Sequence, residues 1–208
     1  MRRKIHSFFK KHPALSLCFS VTFFIGIEGL FSFCSKTKCP AFSDAYFDKW
    51  FPYTQGQSIY FTSSLSRKDT IAITHTNKSA AGSTYSGSSS CGMDASIYSN
   101  APNPSSNAKL SITLSKYASG KTLNIYLYNF YVSGNDLTDQ GVQLANTTTK
   151  AQYYPSLTIN GRTYSNVEVI EKDTSSSKQV GIYKLWLAQQ NGLVAYEHYP
   201  TLEQWVKQ

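Results

Sequence analysis

The stretch that decides the fold is Tyr164–Trp205, YSNVEVIEKDTSSSKQVGIYKLWLAQQNGLVAYEHYPTLEQW. Two runs of β-branched, aliphatic and aromatic residues flank Gln190-Asn191-Gly192, with a Ser-rich loop before them and Trp205 soon after. Runs of that kind around a short Gly-containing turn mark antiparallel hairpins. Just upstream, Leu157-Thr158-Ile159 meets Arg162-Thr163-Tyr164 across Asn160-Gly161. Both residues of an Asn-Gly turn tolerate positive φ, which makes it the strongest short hairpin signal. Val167-Glu168-Val169-Ile170 extends the second arm, and Glu171 to Lys178 loops to the closing hairpin. At the end, Thr201 and Gln204 have capping-box spacing. Trp205-Val206 favours a strand and few residues remain, so a short final strand is expected.

The same period continues toward the N-terminus. Leu110-Ser111-Ile112-Thr113-Leu114 alternates without fault, and Leu123-Asn124-Ile125-Tyr126-Leu127-Tyr128 answers it across Ser119-Gly120. Ser58–Thr62 and Thr70–His75 also read as strands, Cys91–Ser99 as a weaker one closed by Asn100-Ala101-Pro102-Asn103-Pro104. Asn77–Ser90 is a Ser/Gly/Ala-rich loop, and Gly134–Lys150 is polar with no clear period. Before the strands, Ser43 is placed to cap a single helical turn over Asp44–Trp50, ended by Phe51-Pro52-Tyr53. The expectation is an all-β chain of about eight to ten strands, an antiparallel sandwich or an open, barrel-like sheet. Residues 1–34 form a signal or anchor segment, 35–55 a tether with a helical turn, and 56–208 one β domain.

The leader sets the address. Residues 1–12 are basic, and Ala14–Phe33 is an apolar run holding Phe19, Val21, Phe23, Phe24, Ile25, Ile27, Leu30 and Phe31. Charge followed by an apolar run is the pattern of an export signal. Its length equally suits an uncleaved membrane anchor, although Glu28 opposes spanning. Without the leader, roughly 175 residues remain, enough for one domain with a sizeable core. The formal charge of +8 shrinks with it: from Ser35 onward there are 15 Lys+Arg against 11 Asp+Glu, a balance of +4. These basic residues are scattered singly, without the patch that phosphate backbones require, so no nucleic-acid partner is expected.

Four cysteines refine the address. Cys18 lies within the apolar run, leaving Cys34, Cys39 and Cys91, an odd number for an exported chain. If Cys34 carries lipid, Cys39 and Cys91 remain as a candidate disulfide pair in an oxidising compartment. Such a bridge closes a loop of roughly 50 residues, stabilising by about 3–4 kcal/mol on the chain-entropy account. At this point the chain resembles a bacterial lipoprotein precursor. It departs from the usual lipidation pattern in placing Leu30 one position early and bulky Phe33 before the Cys. Lipidation at Cys34, an uncleaved anchor and ordinary signal cleavage are the three readings of this end.

No stretch names a reaction. His75 and His198, the only histidines past the leader, lack zinc-ligand spacing, so no metal site or cofactor is expected. Gly87-Ser88-Ser89-Ser90-Cys91-Gly92 misses the nucleophile-elbow spacing, and Cys91 has no basic neighbour to activate it. Gly120-Lys121-Thr122 lacks the upstream glycine of a phosphate loop. Asp136 with Asp139, and Glu168 with Glu171, have the look of glycosidase pairs but read more simply as loop and solvent-face charges. No catalytic residue is therefore assigned. Aromatics are the more informative class: Tyr126, Tyr128, Tyr183, Trp186 and Tyr196 form a candidate ligand platform for sugars or peptides, with core packing as the competing reading.

The C-terminal motifs carry a further resemblance. Asn160-Gly161-Arg162-Thr163-Tyr164-Ser165-Asn166-Val167, Lys184-Leu185-Trp186-Leu187-Ala188, Asn191-Gly192-Leu193-Val194-Ala195-Tyr196 and Glu203-Gln204-Trp205 resemble the ending of cell-envelope lipoproteins of Bacteroidota. Tyr53–Phe61 resembles their first strand. The resemblance covers the last 50 residues or so well, and it transfers no activity or catalytic residue. It implies a lipid-anchored, non-enzymatic envelope protein with a structural, assembly or ligand-binding role. A carbohydrate- or peptide-binding module is the alternative, and a hydrolase with an unrecognised site the next. In that family acidic residues after the lipid-bearing Cys accompany surface display. Here Ser35-Lys36-Thr37-Lys38 is basic, leaving the periplasmic and outer faces both open.

Overall fold

Strand chemistry dominates the computed structural model, which describes residues 36–37, 39, 41–80, 84–85, 91–99, 109–117, 120–145, 148–173 and 180–208. The chain forms two compact units, Met1–Cys39 with Gly82–Ser90, and Pro40–Ala81 with Cys91–Gln208. In the first, β1 (Lys36–Thr37) pairs antiparallel with β4 (Thr84–Tyr85). The apolar leader and Cys34 lie outside the described residues.

The second unit is one twelve-stranded antiparallel sheet, nearly closed into a barrel. Its strands are β2 (Ser58–Ser63), β3 (Lys68–Ala80), β5 (Met93–Ser99), β6 (Leu110–Tyr117), β7 (Gly120–Leu127) and β8 (Phe130–Thr138). These are followed by β9 (Gly141–Leu144), β10 (Thr149–Ile159), β11 (Arg162–Lys172), β12 (Gly181–Ala188), β13 (Gly192–Tyr199) and β14 (Glu203–Lys207). The order is β10-β11-β12-β13-β14-β2-β3-β5-β6-β7-β8-β9. All-β architecture and the hairpins at Ser119-Gly120 and Asn160-Gly161 follow the sequence pattern. More strands form than the eight to ten expected, because the aperiodic stretch from Gly134 contains the end of β8, all of β9 and the start of β10. A register shift between Gly134 and Asp136 scrambles the alternation there.

Period-two residues fill the interior. Leu110, Ile112 and Leu114 of β6 face Leu127, Ile125 and Leu123 of β7, all essentially fully buried. They join Ile59 and Phe61 of β2, Ile71 and Ile73 of β3, and Leu185, Leu187, Leu193 and Tyr196 in one core.

The expected helical turn is present as α1 (Ala45–Trp50), capped by Asp44 rather than Ser43. Asp44 Oδ1 accepts from the backbone N–H groups of Tyr46 and Phe47 at 3.1 and 3.0 Å. The turn packs inward. Phe47, Trp50 and Phe51 are buried in the barrel core, and Trp50 Nε1 donates to Thr138 O at 2.8 Å. A helix of one and a half turns has no stability of its own, so its aromatic face holds it in place. Tyr53 continues the plug, its hydroxyl oxygen accepting from Leu193 N at 2.6 Å.

A second, smaller core lies on the outer face. Strand β11 pairs with β12 only over Val167–Glu171, so the tip of the β10–β11 hairpin has no third strand. Instead Leu157, Ile159 and Tyr164 pack against Trp186, Ala188, Val194, Ala195 and Val206. Pro155, which has no N–H to donate, suits β10 as an edge strand.

Candidate functional site

Three groupings of polar side chains stand out in the barrel. The first surrounds Asp69, at the start of β3. Its Oδ1 accepts from Lys109 Nζ at 2.6 Å, and its Oδ2 from the hydroxyls of Tyr128 (2.6 Å) and Tyr196 (2.8 Å). Burial pushes this carboxyl up, but the three donors outweigh it and hold the pKa below the ordinary carboxylate value. Burial and the Asp69 anion push both tyrosine hydroxyls well above theirs. Tyr196 also stacks on Trp205 at 5.8 Å and 10°. Arg67 lies over that indole and pairs with buried Glu203, its Nε donating to Oε1 at 2.8 Å. His198 packs against both rings, its pKa lowered by burial and then by Arg67. The arrangement clasps strands β3, β13 and β14 together.

The second grouping is the barrel seam. Strand β9 pairs with β8 on one side and, among the described residues, has no ladder partner on the other. Glu168 of β11 supplies one: both its oxygens accept from Val142 N, at 3.0 and 2.9 Å. Gly141, at φ +104°, leaves the space, since a Cβ there would overlap the carboxyl. Glu168 is 1 % exposed, and burial, only partly offset by the Val142 N–H, pushes its pKa up to about 8. Beside it lies an open groove of about 320 Å³ lined by residues of β9, β10 and β11.

The third is a larger groove, about 580 Å³, between the β10–β11 hairpin tip and the β12–β13 turn. Its walls carry Arg162, Ser165, Gln190, Asn191, Lys207 and Gln208 among others, and no acidic side chain. Lys207 Nζ donates to Asn191 O at 2.7 Å, and burial lowers its pKa. Arg162 Nη1 reaches Lys207 O at 3.5 Å.

The residues singled out in the sequence scatter across these groups. Tyr128 and Tyr196 come together in the Asp69 cluster, with ring centroids 6.3 Å apart. Tyr126 stacks instead on Tyr131 at 4.4 Å on the wet face of β7 and β8. Tyr183 bonds Glu197 and meets Tyr199 edge-on. Trp186 belongs to the outer core, under Lys184. The five therefore do not form one platform. Asp136 pairs with Lys121, Asp139 with Lys49 and Glu171 with Lys184, as solvent-face charges do. Glu168 departs from that reading, since its strand is buried on both faces and its side chain shares the inner face with Ile170. His75 is exposed and stacks on Tyr98. Both Cys39 and Cys91 are disulfide-bonded.

Among the described residues, no three His, Cys, Asp or Glu side chains gather as metal ligands would, and no helix is long and apolar enough to cross a membrane. The groove at the hairpin tip was missed in the sequence, because its residues come from three segments and none forms a motif. No family model, curated protein or solved structure matches the chain.

Proposed function

We propose that the protein is a lipid-anchored, non-enzymatic component of a bacterial envelope whose barrel serves an assembly or ligand-binding role. The observation that carries the non-enzymatic reading is the commitment of its buried and half-buried carboxylates, beginning with Asp44, which caps α1. Asp69 is held by three donors, Glu203 by Arg67, and Glu168 by the edge of β9. A catalytic carboxylate keeps an open side toward substrate; Asp69 and Glu203 are taken up by donors, and Glu168, although it borders a groove, has both oxygens on Val142 N. The anchor reading rests on the basic-then-apolar leader, on Cys34 at its end, and on the resemblance of the C-terminal motifs to envelope lipoproteins of Bacteroidota. Cys39 and Cys91 in disulfides accord with an oxidising compartment.

Intact-mass analysis of the mature protein tests it. A chain beginning at Cys34 with added acyl mass is expected. A chain beginning at any other, unmodified residue overturns the lipid anchor. The binding-module alternative gains from the polar groove at the hairpin tip, which has the volume of a small-ligand site.

A further inference from the structure

We propose that the groove between the β10–β11 hairpin tip and the β12–β13 turn binds an acidic carbohydrate, a hydroxyl-rich ligand carrying carboxylate groups. The inference rests on the ligand-binding reading above and names its ligand class.

Charge bookkeeping points there first. Around the barrel, cations are matched to carboxylates: Lys49 with Asp139, Lys109 with Asp69, Lys121 with Asp136, Lys184 with Glu171 and Arg67 with Glu203. Arg162 and Lys207, like Lys68, Lys150 and Lys172, have no carboxylate partner among the described residues, but of these five only Arg162 and Lys207 converge on one groove. Their hydrogen bonds run to backbone carbonyls, at 3.5 and 2.7 Å, and no acidic side chain lines the groove they share. Lys207 is half-buried, so its ammonium has lost water without gaining a counter-ion. An arriving carboxylate offsets that loss. Arg162 is exposed, and its guanidinium is a fork shaped for a planar carboxylate.

The remaining wall decides between a bare anion and a sugar acid. Ser165, Gln190 and Gln208 are exposed there, and hydroxyl and amide groups both donate and accept, as a run of sugar hydroxyls requires. The site is also pre-formed. Asn160 and Gly161 fix the tip at φ +47° and +78°, and Tyr164 pins it to Val206 through the outer core. A rigid wall saves the ligand the entropy of ordering a loop.

The test is calorimetric titration of the full chain in detergent with tetragalacturonate, with maltotetraose as neutral comparator and inorganic phosphate as bare anion. Saturable binding of tetragalacturonate is expected, with Arg162→Glu weakening it by about tenfold or more. Maltotetraose should bind at least as much more weakly, and Tyr117→Ala, at an exposed position of β6 outside the groove, should leave the affinity unchanged. Arg162 is exposed, so the charge reversal is expected to keep the thermal unfolding of the parent. Absence of saturable binding, or equal affinity in parent and Arg162→Glu, overturns the site. Phosphate binding as tightly as tetragalacturonate overturns the carbohydrate assignment. Binding accompanied by shortening of the oligosaccharide supports the site while defeating the non-enzymatic reading, so the two stand or fall separately.

Discussion

Two hairpins of this chain share the same local grammar and meet different fates. In β6–β7 the register runs unbroken from Leu110 opposite Leu127 to Tyr117 opposite Gly120. Both strands have further neighbours, β5 and β8, so the apolar face stays inside the barrel. In β10–β11 the register is as long, from Ile159 opposite Arg162 to Thr149 opposite Lys172. Only its base is held by β12, and among the described residues β10 has no partner on its other side. Its tip turns outward and buries Leu157, Ile159 and Tyr164 on the far face of β12, β13 and β14. A turn and an alternating pattern specify a hairpin. The third strand decides where it goes. Because this hairpin leaves the wall, the barrel retains a seam, and a carboxyl rather than a strand meets the edge of β9.

The contrast breaks first under truncation. Leu114→Ala, in the sealed wall where the side chain is fully buried, should cost about 3–4 kcal/mol in urea unfolding. Leu157→Ala removes the same atoms from a partly buried position on the overlaid tip and should cost about 1 kcal/mol. Equal costs would mean that the tip is as integral to the fold as the wall.

Glycines sharpen the comparison at the next level of energy. Gly141 at the seam and Gly161 at the hairpin tip both have positive φ, +104° and +78°. At Gly161 an added methyl meets open space, so Gly161→Ala costs backbone strain alone, about 1 kcal/mol. At Gly141 the methyl would overlap the Glu168 carboxyl, which is held at the seam by Val142 N. Gly141→Ala should therefore cost about 2–3 kcal/mol, strain plus overpacking. It should recover part of that loss in the double variant with Glu168→Ala. Thermal melts of the four proteins check both statements.

Sequence reading reached the wall well and the seam poorly. Alternation exposed β6, β7 and the arms of β10 and β11, because one-sided burial writes a period of two. Residues 134–144 stayed silent, because the Gly134–Asp136 register shift and burial of Gly141 and Val142 on a short edge strand erase that period. Gly192 was legible as a turn glycine, but it opens β13, and its missing Cβ makes room for the Tyr53 ring. Positive φ falls on Gln190 instead of Asn191. The aromatic platform failed for a related reason. Alternation in β7 sets Tyr126 on the face opposite Ile125 and Leu127, but β13 is buried without alternation from Gly192 to Tyr196, so nothing local assigns Tyr196 to the core. Asp69, Lys109, Tyr128 and Tyr196 come from four strands or turns, and their convergence is purely topological.

The seam also makes a prediction about pH. The native barrel holds the Glu168 carboxyl protonated up to about pH 8, whereas the unfolded chain releases that proton near the ordinary value of 4.5. Between those limits unfolding releases a proton, so stability falls as pH rises and levels off above the native pKa. The favourable state is the acidic one, opposite in sign to a salt-bridged carboxylate. Glu168→Gln keeps an oxygen to accept from Val142 N and removes the ionisation. The variant should match the parent near pH 4.5 and exceed it progressively toward pH 8, by about 1–2 kcal/mol at the upper end once relaxation of the seam is allowed for. Unfolding curves of both proteins at half-unit pH steps give the difference directly. A difference independent of pH would mean that water reaches the carboxyl through the adjoining groove and that the seam is open in solution. A difference growing with pH would place the proton where the closed geometry puts it, between β11 and the edge of β9.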